Sequence, residues 1–101
     1  MSVRLGELVV LDDRPQAIVR GRVVDLRPIE HRLLLHLAKH PSRVWTRAEL
    51  YRDVWGAEPS NGSRSVDVVM ARLRRSLSGA GHALRTVRRV GYRLDPDRLS
   101  P

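Results

Sequence analysis

Residues 63–77 read SRSVDVVMARLRRSL, the stretch with the clearest helical pattern in the chain. Its large apolar residues recur at steps of four, three and four positions, which is the spacing of one helix face: Val66, Met70, Leu73 and Leu77. At about 100° per residue, the opposite side carries Arg64, Val68, Ala71, Arg72 and Arg75, with Asp67 and Arg74 on one flank. The sequence therefore predicts an amphipathic helix over about residues 63–78 that Ser63 caps, with an apolar face and a mostly basic face.

A basic hairpin follows this helix. Apolar residues at 84–87 and 92–94 enclose a short segment that contains Arg88, Arg89 and Gly91, which predicts a β-hairpin over residues 84–94. We expect Gly91 to serve the backbone of the turn and not a ligand. Gly79 and Gly81 are expected to end the preceding helix.

Two more helices are predicted upstream. Thr46 followed by Glu49 forms the pattern of a capping box, so a second helix is expected over about residues 46–55, with Gly56 as a left-handed cap. Before it, a helical apolar period between Pro28 and Pro41 predicts a helix over about residues 28–39. Arg27 would be its N-cap, although arginine is a poor capping residue.

The first part of the chain has the character of strands. Short apolar segments between residues 3 and 26 are separated by Gly6, by the turn-forming residues 12–15 and by Gly21. We expect a small antiparallel sheet there, and the length of 101 residues fits one domain over residues 1–101.

The positive charge of the chain is unevenly placed. Residues 62–94 carry eight arginines against Asp67 alone, whereas residues 1–61 carry ten Lys and Arg against eight Asp and Glu. A concentrated positive charge suits a polyanion, because neutralising phosphates releases counterions. The alternative is a solvated basic face that serves solubility.

Several functional classes lack support in the sequence. The chain has no cysteine and no apolar run of membrane-spanning length, and its first residues do not resemble a signal peptide, so we expect a cytoplasmic protein without a membrane partner. No phosphate loop, nucleophile elbow or close carboxylate pair stands out, so neither an enzyme nor a cofactor is expected. His36 and His40 are two possible metal ligands without a third, so no metal is expected.

The predicted helix and hairpin together favour DNA binding. A major groove about 12 Å wide admits one helix, and an arginine can contact guanine O6 and N7 with two hydrogen bonds. Arginines at a hairpin tip can enter the minor groove, where narrow A·T tracts concentrate negative potential. The alternatives are an ordinary amphipathic surface helix and a solvent-exposed turn. Trp45 and Trp55 flank the second helix and are expected in core or edge packing.

Most of the chain resembles one family in ordered blocks. The following segments are similar to the C-terminal effector domains of OmpR/PhoB response regulators, found in bacterial two-component systems: HLAKHPSRVWTRAEL at 36–50, VWG at 54–56, SRSVDV at 63–68, RLRRSL at 72–77 and RTVRRVGYRL at 85–94. The resemblance implies an α+β winged helix-turn-helix fold with an N-terminal antiparallel sheet, three helices and a C-terminal hairpin wing. It also implies sequence-specific binding of double-stranded DNA for transcriptional regulation, with the third helix in the major groove and the wing in the minor groove.

The resemblance also assigns site residues. Base readout is implied for Arg72, Val68 and Arg88. Phosphate contacts are implied for Arg64, Arg74, Thr86, Tyr92 and Trp55, and the helix face and hairpin tip add Arg75 and Arg89. Family members touch RNA polymerase with the loop between helices two and three, here Ala57, Glu58, Pro59, Ser60, Asn61 and Gly62. They usually bind tandem repeats as head-to-tail dimers.

The sequence departs from the family at four positions. Val69 stands where many members have histidine and Ala71 where many have arginine, which removes two polar contacts from the expected reading face. Arg89 replaces a common glycine of the wing, so a positive φ there would be costlier, and Arg27 replaces a capping threonine. The family's receiver domain is absent from these residues. A winged-helix module for protein interaction or regulation, within a larger and possibly enzymatic protein, is therefore the alternative function.

Overall fold

The N-terminal segment forms a four-stranded antiparallel sheet. The computed structural model of the chain describes residues 2–57 and 63–99. Its first strands, β1 (Val3–Leu5), β2 (Leu8–Val10), β3 (Gln16–Val19) and β4 (Arg22–Asp25), pair in chain order. Alternate residues of β2 and β3 face the core, so Leu8, Val10, Ala17 and Val19 are buried. The sheet predicted within residues 3–26 is confirmed.

Helix α1 (Pro28–Lys39) has the predicted bounds and packs against this sheet and α3. Its inward residues are fully buried: Leu33, Leu34 and Leu37. Arg27 precedes the helix in extended conformation, and its backbone N–H donates to Oε1 of Glu30 at 3.3 Å. The Glu30 carboxylate therefore supplies a capping contact at the start of the helix.

The second helix begins with the predicted capping box. The Glu49 N–H donates to Thr46 Oγ1 at 3.0 Å, and the Thr46 N–H donates to Glu49 Oε1 at 2.8 Å. Because Thr46 is the cap, α2 (Arg47–Leu50) starts one residue later than position 46. It continues as a π-helical turn, Tyr51–Trp55, which the periodicity did not predict, and Gly56 ends it with φ 77°.

Helix α3 (Ser63–Leu77) carries the predicted buried stripe, since Val66, Met70, Leu73 and Leu77 are at most 1% exposed. The helix ends one residue before position 78, because Ser78 has a left-handed φ of 51° and begins a 3₁₀ helix, Ser78–Ala83. Gly81 lies within that 3₁₀ helix. A Cβ atom there would come 2.3 Å from the Arg74 carbonyl oxygen, so this close approach requires glycine.

The C-terminal sheet has three strands, in the order β5 (Trp45–Thr46), β7 (Gly91–Leu94) and β6 (Leu84–Val87). Strands β6 and β7 are the predicted hairpin, whereas the two-residue strand β5 was not predicted. The expected role of Gly91 in the turn was wrong, because Gly91 pairs with Val87 and Thr46 in the sheet. A Cβ atom at Gly91 would lie 1.8 Å from the Trp45 carbonyl oxygen, so glycine allows β5 to approach β7.

Candidate nucleic-acid interface

The outward face of α3 is basic and open to solvent. Its exposed residues are those that the helical spacing predicted: Arg64, Val68, Ala71, Arg72 and Arg75. Val68 is 49% exposed although it is apolar. Within residues 2–57 and 63–99, no acidic side chain forms an ion pair with Arg64, Arg72 or Arg75. Among the described residues, the helix therefore presents three guanidinium groups without an acidic partner, around the exposed Val68 and Ala71 side chains.

Val69 does not belong to this face. It is only 7% exposed and packs with the buried core residues of the helix. Val69 and Ala71 both replace polar residues that many OmpR/PhoB family members have on the expected reading face, but only Ala71 is exposed. The valine at position 69 therefore removes nothing from the outward surface that the helix shows here.

The tip of the wing carries two exposed arginines. Arg88, Arg89 and Val90 connect β6 to β7, and the Val90 N–H donates to the Val87 carbonyl at 2.9 Å. Arg89 has φ 66°, the left-handed conformation that a residue with a Cβ adopts at a cost of about 1–2 kcal/mol. The expectation that arginine is strained at this position is therefore confirmed.

Arg74 joins the helix to the wing. Its Nε donates to the Leu84 carbonyl at 2.9 Å, and its Nη2 donates to Thr86 Oγ1 at 2.9 Å. The Arg74 side chain is consequently directed at β6 and is half-buried, while Thr86 remains exposed. The structure thus separates Arg74 from the open arginines of α3.

Tyr92 is also engaged within the protein. It is 5% exposed, and its hydroxyl donates to Oδ1 of Asp67, which also accepts from Arg47 Nε at 2.7 Å. Burial and the hydrogen bond to Asp67 raise the pKa of Tyr92 above its usual value. Burial acts to raise the pKa of Asp67, but the hydrogen bonds from Tyr92 and Arg47 outweigh it, so that this pKa is lowered.

Two cations lie over the ring of Tyr92. The guanidinium carbon of Arg47 is 5.1 Å from the ring centroid, and that of Arg74 is 5.5 Å away. Sequence reasoning assigned no role to Arg47 and placed Asp67 only on a flank of the helix. The capping box fixes Arg47 at the start of α2, but only the packing of three elements brings it to Asp67.

Trp55 ends the π-helical turn Tyr51–Trp55, which contacts α3. The Trp55 ring is half-buried and stacks on Tyr51, with 5.3 Å between the centroids and 14° between the planes. Ala57 is exposed. The remaining residues predicted to contact polymerase, 58–62, lie outside the described residues.

A cluster of rings occupies the opposite end of α2. The His36 ring lies 4.4 Å from the Trp45 ring, and the His36 Nε2 atom is 3.5 Å from Asp53 Oδ2. Burial lowers the pKa of His36 below its ordinary value. His40 completes the cluster at 5.5 Å from both rings. Among the described residues, no three His, Asp or Glu side chains gather as metal ligands.

No helix of the described segments is both long and apolar enough to cross a membrane. The model of the family described as transcriptional regulatory protein, C terminal, matches residues 21–94.

Curated relatives share the sequence over most of this chain. The transcriptional regulatory protein AfsQ1 of Streptomyces coelicolor is 38% identical over 98 residues, which cover 94% of this chain and 44% of AfsQ1. SrrA of Staphylococcus aureus is 34% identical over 97 residues, covering 92% of this chain and 40% of SrrA. The chain thus spans less than half the length of these regulators.

Solved structures share the fold. The DNA-binding domain of RstA from Klebsiella pneumoniae, in complex with the RstA box, superposes with a TM-score of 0.84 at 30% identity. This match covers 94% of this chain and 97% of that one. The DNA-binding domain of CpxR from E. coli gives a TM-score of 0.82 at 28% identity, covering 94% and 96%.

Proposed function

Because the chain belongs to the family of C-terminal domains of transcriptional regulatory proteins, winged helix-turn-helix DNA-binding domains of the OmpR/PhoB type, we propose that it reads duplex DNA with α3 and the wing. The observation that carries the proposal is the exposed arginine face of α3 beside an arginine-tipped hairpin. In this arrangement α3 enters the major groove and the wing reaches the adjacent minor groove.

Base readout is proposed for three exposed side chains. Arg72 is exposed on the open face, where its planar guanidinium can donate two hydrogen bonds to guanine O6 and N7. Val68 lies one helical turn earlier, and its exposed methyl groups suit a thymine methyl. Arg88 at the wing tip suits a narrow minor groove.

Phosphate contacts are proposed for the exposed groups around these residues: Arg64, Arg75, Thr86 and Arg89. Trp55 is half-buried, and its indole N–H is proposed to donate to a phosphate. Arg74 and Tyr92 already hydrogen-bond within the protein. We therefore propose that they assist phosphate binding chiefly by holding the wing against α3. Such bonds preorganise the interface and reduce the entropy lost on binding.

The assembly on DNA is a further part of the proposal. By analogy with the family, residues 57–62 are proposed to contact RNA polymerase, and two copies are proposed to bind tandem repeats head to tail. A cytoplasmic location follows from this role. The alternative function, a winged helix that binds a protein partner, is disfavoured because the similar RstA domain was solved in complex with the RstA box.

A selection from a pool of random duplexes at physiological salt tests the proposal. We expect enrichment of one motif, with an affinity at least 10³-fold above that for unselected duplexes. The variant Arg4→Gln, which removes an exposed arginine of β1, should enrich the same motif and serves as the control. Weak binding that shows no enrichment and disappears with modest salt would contradict sequence-specific recognition.

A further inference from the structure

A second basic feature adjoins the proposed interface. Between the C-terminal end of α3 and strand β6 lies an open concavity of about 640 Å³. Its lining includes Arg75 of α3, Arg85 of β6, and His82 and Arg98 from the segments on either side of the hairpin. Arg74 and Thr86 also line it, so the concavity begins where the phosphate-facing surface of the wing ends.

The charge of this concavity is strongly positive. The lining includes four arginines and no acidic residue: Arg74, Arg75, Arg85 and Arg98. The Asp95 carboxylate lies beside two of these arginines, and its side chain is 11% exposed. Its Oδ2 lies 3.4 Å from Arg85 Nη1, 3.6 Å from Arg93 Nη2 and 3.9 Å from Arg98 Nε. One carboxylate shared among three guanidinium groups leaves most of their charge uncompensated.

Backbone contacts hold these arginines in place. Arg98 Nη1 donates to the His82 carbonyl at 3.1 Å, and Arg74 Nε donates to the Leu84 carbonyl at 2.9 Å. Each guanidinium group carries five N–H donors, so these bonds orient it and leave other donors for a ligand. The concavity is therefore partly organised before anything binds.

We propose that the concavity binds the phosphodiester backbone of the DNA duplex, at phosphates beyond those that the wing contacts, through Arg85 and Arg98. The inference rests on the proposed function and extends its footprint. Arg74 and Thr86 are shared by both surfaces, so one continuous strand can pass from the wing into the concavity. The lining residues include no Tyr, Trp or Phe on which a base could stack, which favours backbone over a nucleotide.

Two duplexes with the same selected motif test this inference. The short duplex ends at the last base pair that the wing protects, and the long duplex continues on that side by about half a helical turn, roughly 5 base pairs. Affinities are measured at about 50 and about 200 mM salt. The double variant Arg85→Gln and Arg98→Gln removes two phosphate contacts, so the salt slope on the long duplex should fall by about 1.8. The ratio of wild-type to variant affinity for the long duplex then changes roughly 12-fold between these salt concentrations. The same ratio for the short duplex should not change.

Three controls accompany the double variant. Arg4→Gln with Arg14→Gln removes the same charge from exposed positions of β1 and of the turn between β2 and β3, and should leave both duplexes unaffected. Arg85→Lys with Arg98→Lys retains the charge and should restore the salt slope. Asp95 keeps Arg93 as a partner in every variant, so a denaturant titration is expected to show a folded protein.

Two results would overturn the inference while the proposed function stands: equal losses on the two duplexes, or unchanged binding of the long one. A third result would also overturn the inference. If about 1 mM inorganic phosphate shifts the NMR signals of Arg85 and Arg98 while the double variant keeps the wild-type DNA affinity, the concavity binds a small anion instead. If the wild-type domain enriches no motif at all, the proposed function itself fails, and this inference fails with it.

Discussion

The Asp67 carboxylate on α3 accepts a hydrogen bond from the Tyr92 hydroxyl on β7. This bond links α3 directly to strand β7 of the wing, and Arg47 extends it to α2. An acidic residue on a DNA-facing element would repel phosphates if it were free. Here two donors occupy the Asp67 carboxylate, so the same residue aligns three elements without opposing the surrounding positive charge.

The variant Tyr92→Phe should therefore destabilise the domain. It removes one hydrogen bond to a charged acceptor, which corresponds to a loss of about 1.5–3 kcal/mol in the free energy of unfolding. Urea denaturation measures this loss. Tyr51→Phe is the matched control, because no hydrogen bond of the Tyr51 hydroxyl occurs among the described residues. Equal losses for the two variants would show that the Asp67–Tyr92 bond contributes nothing specific.

Arg89→Gly should stabilise the wing and weaken DNA binding at the same time. Glycine adopts φ 66° without a Cβ clash, so about 1 kcal/mol of backbone strain is relieved. The loss of one charge should reduce the salt slope of DNA binding by about 0.9. Thermal denaturation and binding titrations measure the two effects.

The neighbouring substitution Arg88→Gly provides the control for Arg89→Gly. Arg88 does not have a positive φ, so glycine there removes a charge without relieving strain and should not stabilise the fold. A gain in stability for Arg88→Gly equal to that for Arg89→Gly would mean that reduced charge repulsion, and not backbone strain, is responsible.

His36 should make stability depend on pH near neutrality. Burial lowers its pKa, so as pH falls below about 6.5 the unfolded chain takes up a proton that the folded protein binds less readily. The free energy of unfolding should then decrease as the pH falls below about 6.5, whereas well above that pH His36 is neutral in both states and its contribution is constant. His36→Phe keeps a ring against Trp45 and should flatten this slope.

Urea titrations of wild type and His36→Phe between pH 5 and pH 8 test the role of His36. The same titrations on His82→Gln, an exposed histidine, show how much of the slope any histidine replacement removes. A His36→Phe variant with the full wild-type slope would show that another group is responsible.

The sequence predicted the elements of this fold better than their junctions. The stripe Val66–Leu77 follows from local periodicity, and the Thr46–Glu49 capping box is likewise a property of adjacent residues. Strand β5 has no such signal, since two residues acquire strand character only by pairing with Tyr92 and Gly91. Gly91 was misassigned to the turn for the same reason, because its requirement comes from Trp45, which is distant in sequence.

The candidate site shows the same division. Helical spacing identified the exposed residues of α3, including Arg72 and Val68, without knowledge of the packing. It could not show that Arg74 turns towards Thr86 or that Tyr92 is buried against Asp67, because these contacts join segments far apart in the chain. Val69 was counted on the reading face from the family resemblance alone, although the helical spacing already places it beside the buried stripe, where it is 7% exposed.

Arg72 and Arg64 should respond differently to substitution, although both are exposed arginines of one helix. If Arg72 grips a guanine with two hydrogen bonds, Arg72→Ala should cost about 1–3 kcal/mol on the selected motif and relax the preference at one base position. Arg72→Lys retains the positive charge but not the planar pair of N–H donors. It should therefore retain affinity for random duplexes but lose the preference for guanine at that position.

Arg64→Ala should instead weaken binding to specific and random duplexes by the same factor, because a phosphate contact carries no direct base information. Competition titrations against duplexes with every base at each motif position separate the two patterns. Val68 and Arg72 share the exposed face while Val69 is buried, so few side chains are left to read the major groove. Loss of Arg72 should therefore strongly reduce the sequence preference of DNA binding. Equal losses for Arg72→Ala on all sequences, with a shallower salt slope, would assign Arg72 to the DNA backbone and leave Val68 and the wing as the remaining candidates for readout.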